Sequence, residues 1–498
     1  MNPMPVAAAL LLATTLTAGT KAKIDQVFAP YDKTNTPGCA LAIVQNGAVA
    51  YERGYGMADL ENEVKITPAT NFDIASTSKE FTAAIIMQLA AEGKLRLDDD
   101  IRKYVPEIPD YGTKITISQL LHHTSGLRDY TDLLGFFGYN SEDLTGEREA
   151  LMLLSRQKKL NFAPDTEYSY SNTGFFLLTV IAKRATGKPF RDLVRERIFT
   201  PLGMTGSDIR DDHTRVQKNR ATAYSPHGDS WGIDMSDWEQ VGDGGVNTSA
   251  EDMAKWMTGG TRLIDSLNTF EKLTSGETPR YGAGLVFAKR AGHPIVFHNG
   301  AWAGYRSAIF MLPDDHFGTA ILCNAGNSNP GNLGFQILDT IFGPVPPVSN
   351  EPIPPHANGV YLHVPSGTTF TLPVPLTPIG NGRFSAGRSG LIIVEFKDRA
   401  IDVTENEAVK RPYVLVPPPK PLTDQFNGRY QSAEISADWT AFTRNGKLFL
   451  SGDRLGEVEL TPLYENGFSL FGYVIEFNAD GFTLSNRGIW RFPFVKVK

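Results

Sequence analysis

Hydrophobic and polar positions follow two regimes along the first two-thirds of this chain. Near its start, the strand-like runs CALAIV (from Cys39) and AVAYERGYG (from Ala48) flank Asn46-Gly47, a pair favoured in two-residue hairpin turns. A helical regime follows. Phe81, Ile85 and Leu89 recur every four residues, and Gly93 stands where a left-handed helix stop belongs. TISQLLHH (from Thr116) and SNTGFFLLTVIAKRAT (from Ser171, closed by Gly187) are further helices, and an opening helix is expected from Lys23 to Tyr31. Strand-like runs return as GAGLVFAKR, HPIVFHNG, RSAIFMLP and FGTAILCN. Strands at both ends with helices between them predict an α+β fold, an antiparallel sheet carrying a helical insertion.

The pattern then changes. GPVPPVSNEPIPP (343–355) and VPPPKP (416–421) are proline-dense spacers, and the chain between and after them is strand-like and turn-rich. The two β segments repeat each other. Asn358-Gly359-Val360-Tyr361 is echoed by Asn427-Gly428-Arg429-Tyr430, and Leu376-Thr377-Pro378 by Leu460-Thr461-Pro462. Asn381-Gly382 returns as Asn466-Gly467, and Glu395-Phe396 as Glu476-Phe477. Small units of this kind avoid exposed edges by closing on themselves, so two antiparallel β-barrel-like domains are expected. The division is a signal-like segment at 1–22, the α+β domain at 23–342, a proline-rich linker at 343–357, a β domain at 358–415, a second linker at 416–424 and a second β domain at 425–498.

Composition narrows the partners. Lys plus Arg total 48 against 55 Asp plus Glu, a net charge of −7 that does not suggest nucleic acid or an anionic membrane. Two cysteines, Cys39 and Cys323, exclude a disulfide framework and a cysteine-rich metal site. Each lies in an apolar strand-like run, so two buried thiols is the simpler reading; a single disulfide requires those strands to be neighbours. The N-terminal MNPMPVAAALLLATTLTAGTKAK has an apolar stretch of export-signal length without the usual positive start. Read as a signal, it places the protein in the periplasm or outside the cell; read as a packed helix, in the cytoplasm. No membrane span is expected.

The candidate chemistry lies in Asp73-Ile74-Ala75-Ser76-Thr77-Ser78-Lys79, where Ser76 and Lys79 share one face of a helix's first turn. A hydroxyl beside an amine is one way to build a nucleophile without histidine and aspartate. S-x-x-K alone is weak, and Ser155-Arg156-Gln157-Lys158 repeats it on what reads as a solvated helix face. The bland reading of Ser76 is a helix N-cap, with Lys79 as a surface lysine. Against it, the helix dipole disfavours a cation in the first turn. Two more clusters follow in order: Tyr168-Ser169-Tyr170-Ser171-Asn172 before a helix, and His298-Asn299-Gly300-Ala301 ending an apolar strand. Taken singly, Asn172 reads equally as an N-cap and His298 as a satisfied strand-end histidine. His122 and His123 lack carboxylate or cysteine company and read as structural rather than metal-binding.

Together, Ser76/Lys79, Tyr170/Asn172 and His298/Gly300 resemble the serine β-lactamase and penicillin-recognising hydrolase superfamily, in its class C and D-aminopeptidase-like branch. ITISQLLHHTSGL, IFTPLGMTGS, GDGGVNTSAEDMAKW and YGAGLVF agree with it. The resemblance implies that Ser76 forms an acyl-enzyme while Lys79 and Tyr170 share its proton. It implies that Asn172 holds the lysine amine and a substrate amide, and that Ser76 and Ala301 backbone N–H groups bind the oxyanion. Gly300 would let substrate approach the strand. His298 stands where class C β-lactamases carry lysine, and a mostly neutral histidine holds a carboxylate less well. The histidine and the doubled β tail together imply a D-aminopeptidase-like peptidase or amidase acting on small peptides or amides. A carboxylesterase or weak β-lactamase of the same fold is the alternative, and a catalytically silent penicillin-recognising binding protein is the alternative from another class. The expected partner is a small-molecule or peptide substrate, with a homo-oligomer allowed and no cofactor or metal implied.

Overall fold

A computed structural model describes residues 16–497, except 291, 346–348, 355–356, 387–391, 406–408 and 423. The expected signal segment at 1–22 thus lies mostly outside the described residues, as do parts of both proline-rich linkers. The opening helix starts earlier than its pattern suggested, at Ala18–Phe28 rather than Lys23. The Thr17 hydroxyl accepts the Thr20 N–H and caps it, and Ile24 and Phe28 anchor it in the core.

The main sheet has six antiparallel strands in the order Val286–Arg290, His293–Trp302, Tyr305–Leu312, Phe317–Cys323, Cys39–Gln45 and Ala48–Tyr55. The N-terminal hairpin, turning at Asn46-Gly47, therefore completes a sheet begun by the last strands of the domain. Cys39 to Val44 are all buried because the sheet is covered on both sides. Helices Ala18–Phe28 and Pro330–Phe342 pack together, the latter pressing Gly334 onto the Phe310 ring. Helix Ala250–Gly259 covers the other face, where Met257 meets Gly318.

One expectation is corrected here. The strands carrying Cys39 and Cys323 are direct neighbours with those residues opposite each other, and the two sulfurs form a disulfide rather than buried thiols. The ring spans 284 positions of sequence.

The helical insertion contains Lys79–Ala91, Ile117–Leu121 and Asn172–Thr186, the last buried from Thr173 to Ala182 and ended by Gly187 at φ +72. Thr116 and Gln119 close a reciprocal capping box. No helix among the described residues is long and apolar enough to cross a membrane.

The tail forms two barrel-like antiparallel sheets of seven and nine strands. Their topology explains the repeat. In each, the first strand (Gly359–His363, Gly428–Ser432) lies between the second strand and the last, and the remaining strands walk back to the far edge. Asn381 and Asn466 occupy equivalent left-handed turns, at φ +58 and +63. Both sheets shift register just before those turns, after Pro378 and after Pro462. The second unit differs by the extra strands Lys447–Gly452 and Gly456–Glu459.

Candidate active site

Strand Asn71–Asp73 runs into a tight turn, Ala75–Ser78, that continues as helix Lys79–Ala91. Ala75 has φ +48, a strained conformation for a residue with a Cβ. Its N–H is held by Asp73 Oδ1 at 2.7 Å. Ser307 fixes the turn from the sheet side: its hydroxyl donates to the Ile74 carbonyl at 2.6 Å and lies 2.8 Å from Thr77 Oγ1. Gly300, opposite Ser307 in register, brings strand His293–Trp302 hard against this turn. A Cβ there would stand 2.2 Å from the Ile74 carbonyl oxygen. Its missing side chain therefore faces the Ser76 turn, which gives the glycine a different reason from the expected approach of substrate.

Lys79 is fully buried. Its Nζ has three acceptors: Ser76 Oγ at 3.1 Å, Asn172 Oδ1 at 2.8 Å and the Asp243 carbonyl at 2.7 Å. Three acceptors around three N–H donors is the full complement of an ammonium. Burial pulls its pKa down to about 8, with Asp243 and Asp129 resisting the fall. The amine thus sits close to losing its proton near neutrality, and it lies over the Tyr170 ring at 4.8 Å.

The Tyr170 hydroxyl is buried and makes no well-formed hydrogen bond. Burial raises its pKa well above the usual tyrosine value, and the Ser76 hydroxyl beside it draws it back. Asn172 is not the helix cap; Ser171 takes that position, leaving the Asn172 side chain free to face Lys79. His298 is buried with both ring nitrogens occupied, Nδ1 at 2.7 Å from the Asn299 carbonyl and Nε2 at 3.0 Å from Tyr281 Oη. The carbonyl can only accept, so Nδ1 carries the proton and Nε2 accepts from Tyr281. Burial, and then the nearby Lys79 charge, pull the His298 pKa to about 3, so this position offers no cation.

Ser76, Asn172 and Ala301 line one cleft, with Trp238 and Trp302 packed together at 5.0 Å on its wall. Arg210 also lines it, its guanidinium donating to the Ser236 carbonyl at 2.8 Å. The other S-x-x-K lies elsewhere: Ser155 ends a surface helix and bonds back to the Met152 carbonyl. His122 ties Ser118 to Thr269 through their carbonyls, and His123 packs between Tyr170 and Tyr281 at 4.4 and 4.5 Å.

Sequence reasoning missed Asp243 and Asp129. Asp243 offers Lys79 its carbonyl, while its carboxylate accepts from Tyr130 Oη; burial raises its pKa to about 6. The only signal was the G-D-G-G run, whose Gly242 and Gly245 have φ +104 and +86 and let the loop fold onto the Ser76 helix. Asp129 accepts the Asn172 N–H. The β tail also reaches the site. The Asp129 N–H donates to the Gly488 carbonyl at 3.0 Å, Ser169 Oγ to the Arg487 carbonyl, and Arg411 to the Tyr168 carbonyl. Asp132 receives Tyr473 Oη at 2.6 Å and Asn486 Nδ2 at 3.0 Å.

The chain is similar to known proteins in family and in fold. The family model described as Beta-lactamase matches residues 24–334. A D-aminopeptidase from Brucella ovis is 27% identical over 491 residues, covering 92% of this chain and 91% of the relative. One from Brucella melitensis biotype 2 is 28% identical over 487 residues, with the same two coverages. An octameric penicillin-binding protein homologue from Pyrococcus abyssi superposes with TM-score 0.58 at 23% identity, over 88% of this chain and 98% of that one. A D-amino acid amidase from Ochrobactrum anthropi SV3, solved with L-phenylalanine amide, gives TM-score 0.54 at 22% identity, over 65% of this chain and 99% of that one.

Proposed function

The chain belongs to the beta-lactamase family, and from that membership we propose that it is a serine peptidase or amidase, D-aminopeptidase-like, that acts on small peptides or amides through an acyl-enzyme on Ser76. The observation that carries this reading is the buried Lys79 amine, bonded to Ser76 Oγ at 3.1 Å and poised near pKa 8. In acylation the Ser76 Oγ–carbon bond forms as the substrate carbon–nitrogen bond breaks. The seryl proton passes through the Lys79–Tyr170 pair to the leaving amine. Water then cleaves the ester, releasing the acid and restoring the Ser76 hydroxyl. Asn172 and the Asp243 carbonyl hold the amine in line, and the backbone N–H groups of Ser76 and Ala301 receive the oxyanion.

His298 supports the substrate class. It is neutral and tied to Tyr281, so it gives no fixed charge for the carboxylate of a β-lactam. Its role in this reading is to seat Tyr281 beside Tyr170 and His123. The intact Ser76–Lys79–Tyr170–Asn172 cluster speaks against a binding protein that has lost catalysis. The division at 23–342, 358–415 and 425–498 is part of the same proposal, with catalysis in the first unit. So is export of the chain to the periplasm or beyond, which the Cys39–Cys323 disulfide supports because such bonds persist in oxidising compartments.

The test is turnover of D-alanyl-p-nitroanilide, p-nitrophenyl acetate and nitrocefin by the parent and Ser76→Ala. The reading expects the anilide to be cleaved and that cleavage to vanish in the variant. Full activity in Ser76→Ala would sink it, and nitrocefin turnover exceeding that of the anilide would move the substrate class back to β-lactams.

A further inference from the structure

Asp129 caps two helices at once. Its Oδ1 accepts the Thr131 N–H at 2.8 Å and the Thr131 hydroxyl at 2.6 Å, which starts helix Tyr130–Phe137. Its Oδ2 accepts the Asn172 N–H at 2.5 Å, at the mouth of helix Asn172–Thr186, where the Ser171 side chain makes no capping bond. The first job is ordinary and the second is not, because the Asn172 side chain holds the Lys79 amine at 2.8 Å. Asp129 is itself buried and held from behind. Its N–H donates to the Gly488 carbonyl at 3.0 Å, and a Cβ on Gly488 would stand 2.7 Å from the Asp129 Cβ.

Three carboxyl groups, Asp129, Asp132 and Asp243, gather near one lysine. Facing Lys79 are Asp243, Asp129, Tyr170, His123 and His298, and burial keeps both histidines neutral. Facing Asp129 are Lys79, Asp132, Asp243, Tyr130, Tyr170 and Tyr473. Burial, with the Asp129 charge adding to it, lifts the Asp132 carboxyl to about 7. The same two causes, opposed by Lys79, lift Asp243 to about 6. All three contacts to the Asp129 oxygens come from donors, the pattern of an ionised carboxylate. Of the two acids that oppose the effect of burial on Lys79, Asp243 acts more strongly and Asp129 second.

We propose that Asp129 is a positioning residue for the Ser76 reaction: one carboxylate oxygen sets Asn172 against the Lys79 amine, and the carboxylate charge steadies the ammonium form of that amine. The proposal rests on the Ser76 reading, and Asp129 acts only through Asn172 and Lys79. A carboxylate near an ammonium favours the charged form, so removing it lets the amine lose its proton at lower pH.

The experiment reads the rate of fluorophosphonate labelling at Ser76 from pH 6 to 9.5 in the parent, Asp129→Asn, Asp129→Ser and Asp129→Glu. Asn and Ser cap helices about as well as Asp, so Tyr130–Phe137 keeps its start in both neutral variants. The parent rate should rise through about pH 8. In Asp129→Asn and Asp129→Ser the rise should move to lower pH by about half a unit to one unit, and the plateau should fall about tenfold as Asn172 loses its anchor. Asp129→Glu, which restores the charge, should return the rise to the parent's pH. Asp132 and Asp243 are largely ionised at pH 8, so their own titration does not produce the shift. A slower plateau with the rise unmoved in both neutral variants makes Asp129 a helix cap and nothing more, and overturns the proposal. A labelled parent whose rate does not rise with pH also overturns it, and leaves the serine hydrolase reading standing. An unlabelled parent removes both.

Discussion

Gly300→Ala puts the architecture of the site to a quantitative test. The added Cβ would stand 2.2 Å from the Ile74 carbonyl oxygen, 2.3 Å from Ser307 Oγ and 3.2 Å from the Ala75 Cβ. Ordinary contact needs about an ångström more than the first two distances allow. Either strand His293–Trp302 moves away, or the Ile74 carbonyl turns and gives up its 2.6 Å bond from Ser307. Overpacking of this kind costs about 1–3 kcal/mol, and loss of a buried hydrogen bond adds about 1 kcal/mol. The Ile74 carbonyl belongs to the peptide that begins the strained Ala75, so the displacement reaches Ser76 directly. A shift of about 1 Å in a catalytic group is worth about a hundredfold in rate. Urea unfolding should therefore show a loss of about 2–4 kcal/mol, and stopped-flow labelling by a fluorophosphonate should slow by about two orders of magnitude. Wild-type stability with wild-type labelling would refute the reasoning. Stability retained with only KM altered would return Gly300 to the simpler role of admitting substrate.

Two further predictions concern buried charge. Lys79 titrates near 8 instead of 10.5, so kcat/KM for an anilide should rise through about pH 8 as the neutral amine accumulates and then level off; a flat profile from 6.5 to 9.5 would deny Lys79 a proton-accepting role. Glu80, next to it, is fully buried with neither carboxyl oxygen well bonded, and burial, only partly offset by Trp256, raises its pKa to about 8. A folded pKa above the unfolded value of about 4.3 means the folded state binds the extra proton, so this residue's stabilisation is present in acid and lost as pH rises through 8. Urea unfolding from pH 5 to 9 should show Glu80→Gln losing part of the parent's decline with pH, and parallel curves would contradict it.

Local physics was readable in the sequence where it controls the structure. Asn46-Gly47 makes its hairpin, Gly93 and Gly187 take the left-handed positions expected of them, and each pair of the tail repeat lands at equivalent strands or turns. Ser76, Lys79, Tyr170 and Asn172 converge because each sits at the mouth of an element whose start the hydrophobic pattern marks. What escaped depends on packing between distant segments. Nothing local marks Asp129, whose N–H meets the Gly488 carbonyl, and only the glycines around it hint at Asp243, which acts on Lys79 through its backbone. The disulfide was hidden for the same reason: an apolar strand says nothing about which other strand lies beside it. The first helix began early because Ala18-Gly19-Thr20 carries little hydrophobic pattern, while the Thr17 cap that fixes the start is a single side-chain contact.

The central claim is that Ser76 is the nucleophile activated by Lys79, and intact-protein mass spectrometry with peptide mapping tests it most directly. After exposure to a fluorophosphonate, the account predicts one adduct per chain, mapped to the peptide containing Ser76 and absent from Ser76→Ala. Lys79→Met should form it at least a hundredfold more slowly. An adduct on another residue, or undiminished labelling of Ser76→Ala, would contradict the account at its base.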